Sequence, residues 1–275
     1  MTTRADRNAK PLWAAYEYLA MGLGLSFLAL ICLLWLPFAL IMRPLLPGLR
    51  GRRFGQLIIS WGFRLYLGFL RLACASHYDL RDLDALRDQP PRILVANHPS
   101  LLDVVLIVSR LPNVVCVMKD SLMRNILLGS AARLAGYISN KGPLEMVLQA
   151  GQALDEGAHV LLFPEGSRTR QFPLDALNNS AALIARRTGI PIQSLLIRFS
   201  SPDPAPYLGK GWPLWRKPKL PQYWSVRLGP VYPLGAEPPT QSKTAISPMT
   251  RRETAALTAR IETELRYFLS RNPPS

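Results

Sequence analysis

The sequence predicts an α/β protein, a mixed or mostly parallel sheet flanked by helices, with an N-terminal membrane-embedded helical segment. Three observations carry this reading. From Arg92 onward, short β-rich runs alternate with helical ones, the pattern of strands joined by helices that cover the sheet. Ahead of them, Leu19 to Met42 is an uncharged run of 24 residues. Across 275 residues, 49% are hydrophobic and 19% charged, which excludes a disordered chain and leaves enough apolar side chains for a full core.

Taken as a helix, Leu19–Met42 would reach roughly 36 Å, against about 30 Å for the hydrocarbon core of a bilayer. A secretory signal is excluded, because the run is too long and Met42-Arg43-Pro44 follows it where a small-residue cleavage site would stand. Gly22, Gly24 and Pro37 allow a bent or partly inserted helix. The next apolar stretch, Phe54–Ala73, gathers Arg53, Gln56, Ser60, Arg64 and Arg71 on one side and Leu, Ile, Phe, Trp and Tyr elsewhere, as in a helix lying in the membrane interface. A soluble helix packed on the core with its arginines in water is the other reading. Residues 1–75 carry nine Lys and Arg against two Asp and Glu, on both sides of the apolar run. A single span and a helical hairpin dipping into one leaflet both satisfy that distribution. The expected organisation is a membrane-associated helical region over 1–75 and an α/β domain over 76–275, held at the anionic cytoplasmic face.

In the domain, strands are expected at Ile93–Ala96, Val114–Met118, Tyr137–Ser139, His159–Phe163, Ile192–Phe199 and Trp224–Leu228. Helices are expected at Leu101–Ser109, Ser121–Ala135, Leu144–Leu154 and Ala176–Thr188, with Gly136, Gly157 and Gly189 at C-terminal turns. Functional groups in such folds gather in loops at the carboxyl ends of strands, and two loops stand out. After Ile93–Ala96 comes Asn97-His98-Pro99-Ser100-Leu101-Leu102-Asp103. Ser100 and Asp103 have capping-box spacing, so a helix should start near Ser100. Side chains tilt toward a helix N-terminus, so the Asp103 carboxylate can reach back to a His98 held in the loop. A carboxylate on one ring nitrogen fixes the tautomer and makes the other a general base. The plainer alternative is that Asp103 only caps the helix. After His159–Phe163 comes Pro164-Glu165-Gly166-Ser167-Arg168-Thr169-Arg170. Here hydroxyls and guanidinium forks suit a phosphate and Gly166 permits close approach, although a basic turn of this kind can also be a solvated loop.

The two loops together resemble the glycerolipid acyltransferase family, whose best-known members acylate 1-acylglycerol-3-phosphate. That family carries a His-x-x-x-x-Asp block and, in this order, a Phe-Pro-Glu-Gly-(Ser/Thr)-Arg block, matched here by Asn97–Asp103 and Phe163–Thr169. Lys119 and Gly189-Ile190-Pro191-Ile192 resemble lesser family features, and the N-terminal apolar region is similar to the membrane helices of bacterial members. The resemblance implies an O-acyltransferase of phospholipid biosynthesis at the bacterial inner membrane, with no metal or redox cofactor. It implies His98 as the base that deprotonates an acceptor hydroxyl and Asp103 as its orienting carboxylate. Glu165, Gly166, Ser167, Arg168, Thr169 and Lys119 would bind substrate. The donor would be acyl carrier protein or acyl-coenzyme A, the acceptor a lysolipid. The oxyanion would be met by N–H groups near Ser100 or by Lys119. Three positions depart from the family: Asn140 stands where an arginine is usual, Pro173–Asn179 replaces a basic-glycine pattern, and Ser194 replaces a proline. They leave open a different acyl acceptor, a non-glycerophosphate lipid, or a non-catalytic lipid-binding relative.

Cys32, Cys74 and Cys116 are odd in number and widely spaced, which excludes a disulfide scaffold; with His77, His98 and His159 they offer no zinc cluster. The net charge of +15 calls for an anionic partner. Seven of those charges flank the membrane segment and no recognition motif is present, so nucleic acid is not expected. The Pro-rich run Ser200–Tyr223 mixes Trp and Lys as a headgroup zone or an acidic carrier would require, or packs as an ordered surface loop. A second Pro/Ser/Thr-rich stretch, Pro233–Pro248, leads to an amphipathic helix, Arg251–Leu269.

Overall fold

The structure, a computed structural model, describes residues 4–213, 215–233 and 250–271. Beyond Pro233, the second Pro/Ser/Thr-rich stretch lies outside the described residues. Helix α1 (Arg4–Leu45) continues through Pro37 and is followed at once by α2 (Gly48–Ala73). The two run antiparallel. Phe27 stacks on Phe69 at 4.2 Å, Phe38 meets Phe54 at 5.9 Å, and the Cys74 thiol donates to Ala20 O. Pro11–Met42 is long and apolar enough to cross a membrane, with mean hydropathy 2.5 and only 6% of its window buried.

Helix α2 is amphipathic in an inverted sense. Its polar stripe faces the rest of the protein: Gln56 donates to Ala135 O at 3.0 Å, Ser60 and Arg64 both donate to Ser109 O, and Arg52 pairs with Glu156. Its other side presents Leu57, Trp61, Leu65 and Leu72, all exposed. The stripe predicted to lie among headgroups is therefore partly a docking seam, because buried carbonyls at two helix ends require donors. Gly55 permits the contact; a Cβ there would fall 2.8 Å from Ala135 N.

The remaining strands are β1 (Ser76–Asp79), β2 (Ile93–Ala96), β3 (Val114–Met118), β4 (Ile138–Ser139), β5 (His159–Leu162), β6 (Ile192–Ser200) and β7 (Gln222–Tyr232). The helices are α3 (Leu102–Arg110), α4 (Asp120–Arg124), α5 (Ile126–Leu134), α6 (Pro143–Asp155), α7 (Ser180–Thr188) and α8 (Arg251–Arg271), with a 3-10 turn over Arg81–Leu86. The sheet order is β1-β7-β6-β2-β5-β3-β4. From β6 to β4 all pairs are parallel; β7 is antiparallel to β6 and parallel to β1. It is a mixed sheet flanked by helices. Every residue of β2 and β5 is buried, as expected of central parallel strands covered on both faces. Tyr66, Leu67 and Leu70 of α2 belong to the same buried cluster as these strands, so the helical hairpin and the sheet share one core.

Across the sheet domain, most bounds fall within one or two residues of expectation, and four elements differ by more. The helix expected over Ser121–Ala135 is two, because the Asn125 side chain accepts from Leu127 N and Leu128 N and starts a new helix. The helix expected from Ala176 begins at Ser180, because the backbone N–H groups of Asp175, Leu177 and Asn178 bond to Glu165, Glu262 and Pro164 instead. Strand β1 was not expected; it is short and polar, and its partner β7 lies far along the chain, with Ser76 opposite Gln222. Strand β7 extends beyond Trp224–Leu228 at both ends.

Candidate active site

Because β2 and β5 are adjacent and parallel, with Val95 opposite Leu162, the two singled-out loops emerge side by side at the carboxyl edge of the sheet. The first leaves through Asn97, which is buried and continues the ladder by side chain. Its Nδ2 donates to Ile197 O at 2.9 Å and its Oδ1 accepts from Ile197 N at 2.8 Å. The amide satisfies a buried backbone pair of β6 while the chain turns away from the sheet.

His98 follows, its ring stacked on Phe163 from the second loop at 4.1 Å. The Asp103 Oδ2 lies 2.7 Å from His98 Nδ1 and also accepts from Ser100 N at 2.8 Å. Ser100 Oγ accepts from Leu102 N, closing the reciprocal cap at the start of α3. Capping and reaching back to the imidazole are thus done by one carboxylate oxygen. Asp103 is wholly inaccessible, whereas the His98 side chain is 16% exposed. Burial pushes the Asp103 carboxyl above its ordinary value, opposed by the bonds from His98 and Ser100 and by Arg168. Among the described residues none takes His98 Nε2, so with Nδ1 donating to Asp103 the other ring nitrogen is left as an acceptor.

The second loop is fastened to the first by Glu165. Its Oε1 accepts from His98 N at 2.8 Å and Thr169 Oγ1 at 3.0 Å, and its Oε2 from Asp175 N at 2.9 Å. Desolvation raises its carboxyl pKa against these bonds. Thr169 N donates to His98 O at 2.8 Å, completing the join. Gly166 takes φ +69, the left-handed turn that lets the loop fold back. Gly166 is exposed and Ser167 partly so. Arg168 Nη1 donates to Leu208 O and Gly209 O, each at 2.7 Å, and Ser100 Oγ donates to Tyr207 O at 2.6 Å. The turn after Pro206 is therefore clasped from both loops. The described residues leave Arg168 Nε and Nη2 unengaged. Lys119 is exposed at the end of β3, two strand spacings from β2, or about 10 Å.

Of the two oxyanion donors considered, the first is taken. The N–H groups of Ser100, Leu101 and Leu102 already donate to Asp103, Leu208 and Ser100 Oγ. At the departing positions, Asn140 Oδ1 accepts from Asp120 N at the start of α4, and Ser194 Oγ donates to Pro230 O. Asn97, Phe163 and the turn after Pro206 were missed as site components. Their roles depend on pairing across the sheet and on a loop distant in sequence, for which no local pattern exists.

Residues 77–198 match the family model described as Acyltransferase. The similarity to that family is carried by this stretch. The chain is 23% identical over 177 residues to a chloroplast 1-acyl-sn-glycerol-3-phosphate acyltransferase of Arabidopsis thaliana, covering 62% of this chain and 47% of that protein. It is 26% identical over 120 residues to a second chloroplast enzyme of that name from Brassica napus, covering 40% and 35%. The alignments thus span less than half the length of these curated relatives. The sheet domain and its helical hairpin share the fold of the 1-acyl-sn-glycerophosphate acyltransferase PlsC of Thermotoga maritima. The TM-score is 0.64 at 16% identity, over 94% of this chain and 100% of that one.

Proposed function

We propose that the protein moves a fatty acyl group from a thioester donor, acyl carrier protein or coenzyme A, to the hydroxyl of a lysophospholipid-type acceptor such as 1-acylglycerol-3-phosphate. One observation carries the reading: within the stretch that matches the family model, a partly exposed His98 is held by a buried carboxylate at 2.7 Å, with Nε2 unengaged among the described residues. His98 Nε2 removes the acceptor proton as the oxygen attacks the thioester carbonyl. The tetrahedral intermediate then collapses with cleavage of the C–S bond, and the imidazolium returns the proton to the leaving thiolate. Asp103 holds the tautomer and stabilises the imidazolium. Arg168 takes the acceptor phosphate through Nε and Nη2, with Gly166 and Ser167 bordering it. Glu165 and Thr169 hold the loop in place, and Lys119 meets the developing oxyanion.

The protein works from the cytoplasmic face of a membrane, its hairpin dipping into one leaflet. Both ends of the apolar stretch of α1 lie against the same body, which supports this over a span. At one end, Glu17 accepts from Lys217 and from Leu220 N, and Tyr16 donates to Ala73 O. At the other, Phe38 packs on Phe54, and α2 is bound there to Ala135. A spanning helix would set Glu17 and Phe38 about 32 Å apart on opposite faces.

The test is transfer of labelled acyl groups from each donor to a panel of lysolipids, resolved by mass spectrometry. Wild type should form diacyl product and His98→Ala none; full activity in His98→Ala overturns the mechanism. Cysteines placed at Leu12 and Leu45 should both react with an impermeant thiol reagent from the cytoplasmic side. Reaction of one from each side overturns the topology.

A further inference from the structure

At the opposite end of α3 from Asp103 lies a groove of about 600 Å³, between the C-terminal half of α2, strand β1 and the end of α3. We propose that it binds the phosphate of an anionic phospholipid headgroup. This goes beyond the acyl-transfer reading and does not depend on it.

The groove is lined by Arg64, Arg71, Arg81 and Arg110 with Asp79, and Arg87 and Arg227 stand beside it. The local carboxylates are committed. Asp79 pairs with Arg81 and Arg227, Asp82 with Arg227, and Asp84 with Arg110 and Arg87. Among the described residues, Arg64 and Arg71 form no ion pair. Arg64 makes one hydrogen bond, from Nε to Ser109 O at 2.6 Å, and lies over the Trp61 ring at 5.8 Å, while Arg71 is exposed. Arg110 Nε is buried with no hydrogen-bond partner. Six guanidiniums thus face three carboxylates. Burial and the charges of Arg87 and Arg110 hold the Arg64 guanidinium below its ordinary pKa, against Asp84. An anion relieves this crowding, and forked guanidiniums match phosphate oxygens.

The placement selects a lipid over a free anion. Arg64, Gly68 and Arg71 share one face of α2, at helical spacings of four and three. Gly68 is exposed with nothing within 4 Å of where its Cβ would be, so the floor between the arginines is open. That face borders the exposed apolar face of Leu57, Trp61, Leu65 and Leu72. A headgroup in the groove would have its acyl chains running onto that surface, an arrangement available to a phospholipid and not to inorganic phosphate.

The experiment uses the full-length protein in nonionic detergent. Thermal shift is titrated with dioctanoyl phosphatidylglycerol, dioctanoyl phosphatidylcholine, inorganic phosphate and holo acyl carrier protein. Phosphatidylglycerol should stabilise saturably and phosphatidylcholine should not. Arg71→Ala and Gly68→Glu, both at exposed positions, should weaken phosphatidylglycerol binding about tenfold, the loss of one charge-assisted contact or its opposition. His98→Ala should bind as wild type does. Inorganic phosphate matching phosphatidylglycerol overturns the lipid assignment. So does weakened carrier-protein binding in Arg71→Ala with lipid binding intact, which assigns the groove to the carrier. Binding lost in His98→Ala and kept in Arg71→Ala places the lipid in the catalytic cleft and also overturns it. Absent acyl transfer with lipid binding as expected refutes the function and leaves this site standing.

Discussion

Asp103→Asn separates geometry from charge at the candidate base. Asp103 Oδ2 accepts both functional bonds, from His98 Nδ1 at 2.7 Å and Ser100 N at 2.8 Å, while Oδ1 is buried without a partner. An asparagine with its oxygen in the Oδ2 place keeps both bonds and turns its amide into the unpartnered position. Only the negative charge is lost. With charge centres about 4 Å apart and an effective dielectric near 20, the imidazolium–carboxylate attraction is about 4 kcal/mol. That corresponds to roughly 10³-fold in the chemical step. Single-turnover acyl transfer should therefore slow about a thousandfold with acceptor KM nearly unchanged. Stability should not follow activity. Burial raises the folded Asp103 pKa above its ordinary 3.8, so its favourable contribution is complete below that value and is lost as pH rises through the folded value. At pH 7 Asp103→Asn should melt at or above the wild-type temperature. Activity within tenfold of wild type would refute the electrostatic role; a large drop in melting temperature would refute the account of the buried charge.

Glu165→Gln keeps an acceptor for His98 N and Thr169 Oγ1 but turns a donor toward Asp175 N; kcat should fall about tenfold with acceptor KM moving less than about twofold, and a selective rise in KM would mean Glu165 touches the acceptor. Gly55→Ala drives a methyl into the Ala135 backbone and should cost about 1–3 kcal/mol, lowering the melting temperature by about 3–8 °C, whereas Gly22→Ala, with open space around it, should not. Glu17→Leu strands Lys217, whose side chain is 16% exposed; a loss of about 3 kcal/mol and faster proteolysis between Tyr207 and Pro221 are expected, with recovery in the Glu17→Leu, Lys217→Met double variant.

The central strands were legible because burial on both faces leaves near-continuous apolar runs such as Ile93–Ala96 and Val114–Met118, and their bounds agree with β2 and β3. The His98–Asp103 contact was legible because both partners lie within one helix start. What was not legible depends on long-range pairing. Glu165 reads as a carboxylate that positions a ligand hydroxyl or an arginine; its bonds to three donors, 67, 4 and 10 residues away, follow no local pattern. The part of the α2 stripe that docks, through Gln56, Ser60 and the Nε of Arg64, reads as facing headgroups because hydropathy registers polarity and not the carbonyls of Ser109 and Ala135 that await it. Glu17, a lone acid at the edge of an apolar run, gives no sign of a partner 200 residues on.

The inverted helix α2 has a practical corollary for anyone wishing to handle this protein free of detergent. A tail anchor can be clipped off. Here the clip would run through Tyr66, Leu67 and Leu70 of the shared core and strip the donors from Ser109 O and Ala135 O. The remedy is to repaint rather than to prune: polar replacements at Leu57, Trp61, Leu65 and Leu72, which touch solvent, leave the seam intact.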